Sequence, residues 1–224
     1  RQVIIHIPFQ HLNLNKEMKV TNDARAFSPL YIGNNHLFYI STKDGSQNIY
    51  LLELESKNTT KITDFNKQEA ISGLSYDLFN NRLLYDITTH HFKDIYFISL
   101  SDSTSGQLLS EKLWDERQST HYKNSIIYSD DRTGVFNLYY LNSKEQGYIT
   151  NVSGGAFMPD ISQNGKILFS IFENSKYKIA ILDTINLIKD DQIGYTSTYY
   201  NRNKNLNFPL DKSIDKKSTN YSDH

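Results

Sequence analysis

One phrase recurs four times along this chain of 224 residues: a short aromatic strand, a turn, then a second strand entered through an Ile-Tyr-like pair. The first copy is Leu37-Phe38-Tyr39-Ile40-Ser41 with Asn48-Ile49-Tyr50-Leu51-Leu52, and the second is Leu83-Leu84-Tyr85-Asp86-Ile87 with Asp94-Ile95-Tyr96-Phe97-Ile98. The third is Ile126-Ile127-Tyr128-Ser129-Asp130 with Asn137-Leu138-Tyr139-Tyr140-Leu141; the fourth, looser, is Ile167-Leu168-Phe169-Ser170-Ile171 with Lys178-Ile179-Ala180-Ile181-Leu182. The anchors Ile49, Ile95, Leu138 and Ile179 stand 46, 43 and 41 residues apart. A period in the low forties with several strands per unit is the mark of propeller blades. The expected fold is therefore all-β, a β-propeller segment of about four antiparallel four-stranded blades.

The repeat divides the chain. Residues 1–21 read as the end of a preceding blade, with Val3-Ile4-Ile5-His6-Ile7 as its third strand. The blades are then 22–63, 64–110, 111–150 and 151–184, and 185–224 read as a polar linker or partly disordered tail rich in Asn, Lys, Ser and Asp. Inner strands are expected at 28–32, 73–76, 118–122 and 160–162. Tight turns follow at Gly33-Asn34-Asn35, Asn80-Asn81, Lys123-Asn124-Ser125 and Asn164-Gly165, because Asn and Gly accept the positive φ that hairpins demand. The second hairpins turn at Lys43-Asp44-Gly45, Thr89-His90-His91, Arg132-Thr133-Gly134 and Glu173-Asn174-Ser175. Short outer strands are expected to end in a recurring Thr (Thr21, Thr63, Thr150), a rule that blade two breaks with Gln107-Leu108-Leu109-Ser110. Apolar residues on consecutive positions, as in Leu51-Leu52 and Phe97-Ile98, suit strands buried on both faces. Three full blades, an incomplete fourth and a preceding remnant predict an open arc with exposed edges, and a chain opening on Arg1 in mid-pattern is expected of a piece of a longer protein.

Composition removes several classes of function. Acidic and basic residues nearly cancel at 25 against 24, so no nucleic-acid partner is implied. With no Cys there are no disulfides, thiolate metal sites or Cys nucleophile. No apolar run reaches the roughly eighteen residues of a transmembrane helix, and no segment reads as a signal peptide.

The junctions carry a family likeness. Val20-Thr21-Asn22-Asp23-Ala24-Arg25-Ala26-Phe27-Ser28-Pro29 resembles the joint of TolB-like, WD-like propeller repeats, in which an outer strand ends in Leu-Thr and Ser-Pro opens the next blade. Ile149-Thr150-Asn151 followed by Pro159-Asp160-Ile161-Ser162-Gln163-Asn164-Gly165-Lys166 resembles the same joint; it keeps Ser162, Gly165 and Lys166 and replaces the usual Pro-Asp by Gln163-Asn164. Ser129-Asp130-Asp131-Arg132-Thr133-Gly134 is similar to that family's second hairpin. Blade two lacks the Leu-Thr and blade three the Ser-Pro. The likeness spans roughly Thr21 to Asp183 and extends to tricorn-type and prolyl-oligopeptidase propellers. It implies part of a TolB-like propeller of about six to eight blades. It implies a non-catalytic scaffold that binds protein or peptide in the cell envelope, periplasmic or outer-membrane associated, with a C-terminal outer-membrane barrel or hydrolase domain as a neighbour in the full protein. The alternative it allows is the substrate-gating propeller of a prolyl-oligopeptidase or tricorn-like serine peptidase whose catalytic domain is absent from this chain.

Chemistry-bearing motifs are few. No Gly-x-Ser-x-Gly elbow occurs, and Gly154-Gly155 lacks the Lys-Ser/Thr of a phosphate loop. His90-His91 is an adjacent pair whose side chains point to opposite sides of a strand end, and Asp130-Asp131 suits a hairpin where Asp caps amides better than a calcium loop. No enzyme activity, cofactor or metal is expected. The sequons at Asn58, Asn151 and Asn220 are those an Asn-rich chain yields by chance. Trp114, the lone tryptophan, lies between blades two and three, a packing position that also suits a binding hot spot. Inter-blade links and second hairpins share one propeller face, which places Arg25, Glu69, His91, Trp114, Glu116, Arg117, Asp131 and Arg132 on a common rim of mixed charge, suited to a protein or peptide ligand.

Overall fold

The computed structural model describes residues 20–21, 25–67, 69–89, 92–109 and 114–193. These form four consecutive antiparallel meanders. Blade one contains β1 (Ala26–Tyr31), β2 (His36–Ser41), β3 (Asn48–Glu53) and β4 (Thr59–Lys61). Blade two contains β5 (Ala70–Asp77), β6 (Arg82–Thr89), β7 (Phe92–Ser99) and β8 (Ser105–Gln107), and blade three β9 (Glu116–Tyr122), β10 (Ser125–Asp130), β11 (Asn137–Asn142) and β12 (Gln146–Tyr148). Blade four has three strands among the described residues: β13 (Ala156–Ile161), β14 (Ile167–Glu173) and β15 (Lys176–Leu182). In each blade the first strand in sequence is the inner one, and inner strands of successive blades pack side by side.

The tight turns are where Asn and Gly placed them: Gly33, Asn34, Asn35, Asn81, Lys123 and Gly165 all have positive φ. The aromatic phrase has a cross-strand meaning. Tyr39 faces Tyr50, Tyr85 faces Tyr96 and Tyr128 faces Tyr139, with ring centroids 5.6, 6.0 and 5.5 Å apart. Such pairs add about 0.5–1.5 kcal/mol beyond their burial. Beside them the anchors Ile49, Ile95 and Leu138 are fully buried between blades. Phe38, Ile40 and Ile49 of blade one pack with Ile71, Leu83, Tyr85 and Ile87 of blade two, and Ile127 and Leu138 of blade three with Ala156, Ile167 and Phe169 of blade four.

Two expectations are corrected in detail. The inner strands begin two to four residues earlier than the pattern suggested, because a bulge in each interrupts the alternation. The outer strands end before the recurring Thr rather than on it. Ile62 and Ile149 extend the ladder by one bond, to Ile49 and Leu138 carbonyls. The Thr hydroxyl then replaces the backbone: Thr63 Oγ1 accepts the Ile49 amide at 2.9 Å and Thr150 Oγ1 the Leu138 amide at 2.8 Å. Each hydroxyl donates in turn to a buried Asn, Asn48 or Asn137, whose Oδ1 also accepts the amide of Phe65 or Val152. This latch closes blades one and three. Thr150→Val keeps the shape but strips the Leu138 amide of its acceptor and Asn137 Oδ1 of one of its donors. An urea titration is expected to show a loss of about 1–3 kcal/mol.

Blade four departs from the rule. Where the latch Asn stands, β15 has Lys178, which is exposed and 2.6 Å from Glu173. Ile179, equivalent to the buried anchors, is 70% exposed, and Tyr177, Ile181 and Leu168 beside it are also open. Beyond β15 the chain turns back: the Ile188 amide donates to the Tyr148 carbonyl, and Ile193 is buried against Ile95, Tyr128, Tyr139 and Tyr148. So residues 185–193 lie along blade three, while 194–224 are outside the described residues. A contiguous apolar strand face of this kind drives association. The wild-type chain is expected to self-associate in sedimentation velocity as concentration rises, and Ile179→Thr with Ile181→Lys to suppress this without lowering the melting temperature. A wild-type chain that stays monomeric with a sharp melt contradicts the expectation.

Candidate binding site

All four inner strands bend at the same place. Ser28, Gly73, Gln118 and Met158 have φ of 49°, 61°, 58° and 52°, each at the register break between its inner and second strand. They recur 45, 45 and 40 residues apart. Left-handed backbone costs a residue with a Cβ about 1–2 kcal/mol, so the three non-glycine positions are held there by their surroundings. The bent strands wall a cavity of about 720 Å³, the channel lumen, which carries residues from β1, β5, β9 and β13. Met158, 63% exposed, stands at its edge.

Neighbouring bends are tied together by side chains. The Met158 amide donates to Gln118 Oε1 at 3.0 Å. The Gln118 amide donates to both carboxylate oxygens of Asp86, at 2.9 and 3.1 Å. Asp86 projects from β6 at the position where blades one, three and four have Ile40, Ser129 and Ser170. Gly73 makes room for it, since a Cβ there would lie 2.8 Å from Asp86 Oδ2. Ser72 hydrogen-bonds to the carboxylate and accepts from Lys93 Nζ at 3.0 Å. Burial pushes the Asp86 carboxyl up to about 7, against the opposing pull of the Gln118 amide, Lys93 and Arg117.

A second cluster lies beside the channel at the joint of blades two and three. Arg132 Nη2 is 2.6 Å from Asp130 and 3.7 Å from Glu116, both fully buried, and its guanidinium stands 4.5 Å from the Tyr139 ring and 5.0 Å from the Trp114 ring. Burial works against the Arg132 charge, but Asp130 holds its pKa above the ordinary range. Tyr148 also donates to Asp130, and its pKa is raised by burial and by that carboxylate. Asp131 Oδ1 accepts the Asp115 amide at 2.8 Å, and burial raises its carboxyl. Asp115 Oδ1 accepts the Lys93 amide at 3.0 Å, linking the second hairpin of blade two to the start of blade three. Arg117 stacks 3.7 Å over Phe136 and pairs with Asp115 at 3.5 Å.

Of the rim residues read from sequence, Trp114, Glu116, Arg117, Asp131 and Arg132 come together here. Arg25 is exposed, and Glu69 accepts the Lys67 amide; both directly precede an inner strand, apart from that cluster. His91 lies outside the described residues. Arg132 and Glu116 are turned into the fold as a brace, whereas Arg117 borders the cavity. Among the described residues no three His or acidic side chains converge as a metal site, and no helix is long and apolar enough to cross a membrane.

No family model matches the chain, and no curated protein does. Solved structures do. TolB from Acinetobacter baumannii is 20% identical with a TM-score of 0.67, over 78% of this chain and 45% of that one. A putative TolB from Agrobacterium tumefaciens is 14% identical, TM-score 0.59, over 69% and 59%. The β-propeller domain of the Trilobed protease from Pyrococcus furiosus, described as having an open velcro topology, is 18% identical, TM-score 0.56, over 75% and 57%. The fold is a TolB-like β-propeller. The chain spans about half the length of these structures.

Within that TolB-like frame, sequence reading missed Asp86, Lys93 and Gln118. Asp86 had a visible signal, a single carboxylate inside the apolar run Leu83-Leu84-Tyr85-Asp86-Ile87. Gln118 had none, because only the bulge in β9 turns it to the lumen, and Lys93 had none, because its neighbours there come from β5 and β9.

Proposed function

We propose that this chain is a non-catalytic TolB-like propeller scaffold that binds protein or peptide partners at its channel mouth, in the cell envelope (periplasmic or outer-membrane associated). One observation carries the reading: four bent inner strands surround an open cavity that offers an exposed Met, a stacked Arg and polar donors side by side. Flexible apolar and guanidinium groups at one concave place are the makings of a peptide contact. The envelope assignment rests on the resemblance to TolB propellers. Photo-crosslinking from a reactive amino acid at Met158 in cells is expected to trap a protein in the envelope fraction. Crosslinks no stronger than those from Lys57, in the exposed turn between β3 and β4, would overturn the reading. The likeness to a protease propeller keeps one rival, a substrate-gating propeller. The full reading frame separates the two: a hydrolase with Gly-x-Ser-x-Gly favours the rival, while amphipathic strands of about ten residues mark a barrel.

A further inference from the structure

Hydrogen-bond accounting at the channel mouth is lopsided. The acceptors are occupied: Asp86 by the Gln118 amide and Ser72, Asp115 by the Lys93 amide, Asp131 by the Asp115 amide. The donors are not. Arg117 Nε is buried without a hydrogen-bond partner among the described residues, and the nearest carboxylate to its guanidinium, Asp115, is 3.5 Å away. Lys93 Nζ has three protons and, among the described residues, makes one hydrogen bond, to Ser72. Both residues line the channel cavity of about 720 Å³, as does Ser75, whose buried Oγ is also without a partner among the described residues. Buried donors left unmade cost free energy, so the cavity is built for an acceptor, and for two cations the strongest acceptor is a carboxylate.

We infer that the channel mouth binds a peptide carboxylate, an acidic side chain or a C-terminus, between Arg117 and Lys93. This rests on the peptide-binding reading above and names the chemistry of that site. Stacking on Phe136 fixes the guanidinium plane, and the side chain, about one quarter exposed, borders the cavity. Asp86 opposes the ligand weakly, because its oxygens are tied into the wall and burial keeps it only partly ionised near neutral pH.

The test uses the full chain and three N-acetylated tetrapeptides of one sequence: Glu with a C-terminal amide, Gln with a C-terminal amide, and Gln with a free C-terminal carboxylate. At least one acidic peptide is expected to bind about tenfold or more tighter than the neutral one, and to shift the ¹⁵N resonance of Arg117 Nε. The two acidic arms distinguish a side chain from a terminus. Arg117→Gln is expected to abolish the preference. Lys93→Met, away from the Phe136 stack, should reduce it even if Arg117→Gln unfolds. Equal binding of all three peptides would overturn the carboxylate site while leaving peptide binding standing. Binding of none would overturn it too, with the Met158 crosslink then judging the broader reading. A preference that survives both substitutions would also overturn it.

Discussion

Replacing Arg132 by methionine is expected to destabilise the fold by about 3–5 kcal/mol, among the largest losses available from one side chain. The guanidinium is the cation facing Asp130 and Glu116, whose carboxylates are buried at 2.6 and 3.7 Å from it. Methionine fills much of the volume but leaves those charges beside each other in a medium that solvates neither. At about 2–4 °C per kcal/mol for a chain of this size, the melting temperature should drop by about 10 °C. Adding Asp130→Asn to Arg132→Met should recover part of the loss, since one stranded charge is then gone. A single variant melting within 2 °C of the parent would show that the cluster is wet and the brace unimportant.

The second large effect is a pH dependence of unusual sign. The Asp86 carboxyl titrates at about 7 in the folded state, above its ordinary value near 4. Between those values the native chain holds a proton that the unfolded chain has released. Stability is therefore fully present below about pH 4 and declines as pH rises towards 7, by about 1.4 kcal/mol per pH unit at most, then levels off. Asp131, raised by burial, contributes in the same direction. Asp77 works oppositely. Burial raises its pKa, but hydrogen bonds from Asn80 and Arg82 together lower it, so its contribution is lost only in acid. Asp86→Asn retains an acceptor for the Gln118 amide and removes the buried charge. Denaturation midpoints should then converge at about pH 4 and below and separate at pH 8, with the variant more stable. Parallel curves across that range would rule out Asp86 as the titrating group.

The repeat was legible because it is local. Cross-strand Tyr pairs, positive-φ turn residues and buried anchors each follow from strand period and turn chemistry over a dozen residues, and the antiparallel blades that the phrase predicts are the fold. Legibility failed at the bulges. A single left-handed residue at Gln118 or Met158 carries no compositional mark, yet it reverses which neighbours face the lumen. The latch shows the same limit. Thr63 and Thr150 were visible as a recurrence, but that they hold Ile49 and Leu138 through a hydroxyl depends on Asn48 and Asn137 lying one strand away.

Arg132 and Arg117 make the division plain. In sequence they are two basic residues near a hairpin, equally suited to a rim. In the fold one is enclosed by Asp130, Glu116 and two rings, while the other stacks on Phe136 at the cavity edge with an unmatched donor. What the sequence alone determined is the architecture: β strands in blades, their order and their turns, since these are set by residues close along the chain. What tertiary structure decided is which charges are met and which are left open, because that depends on groups brought together from different blades across low-dielectric interior, where a shift of a few ångströms separates a structural ion pair from a binding site.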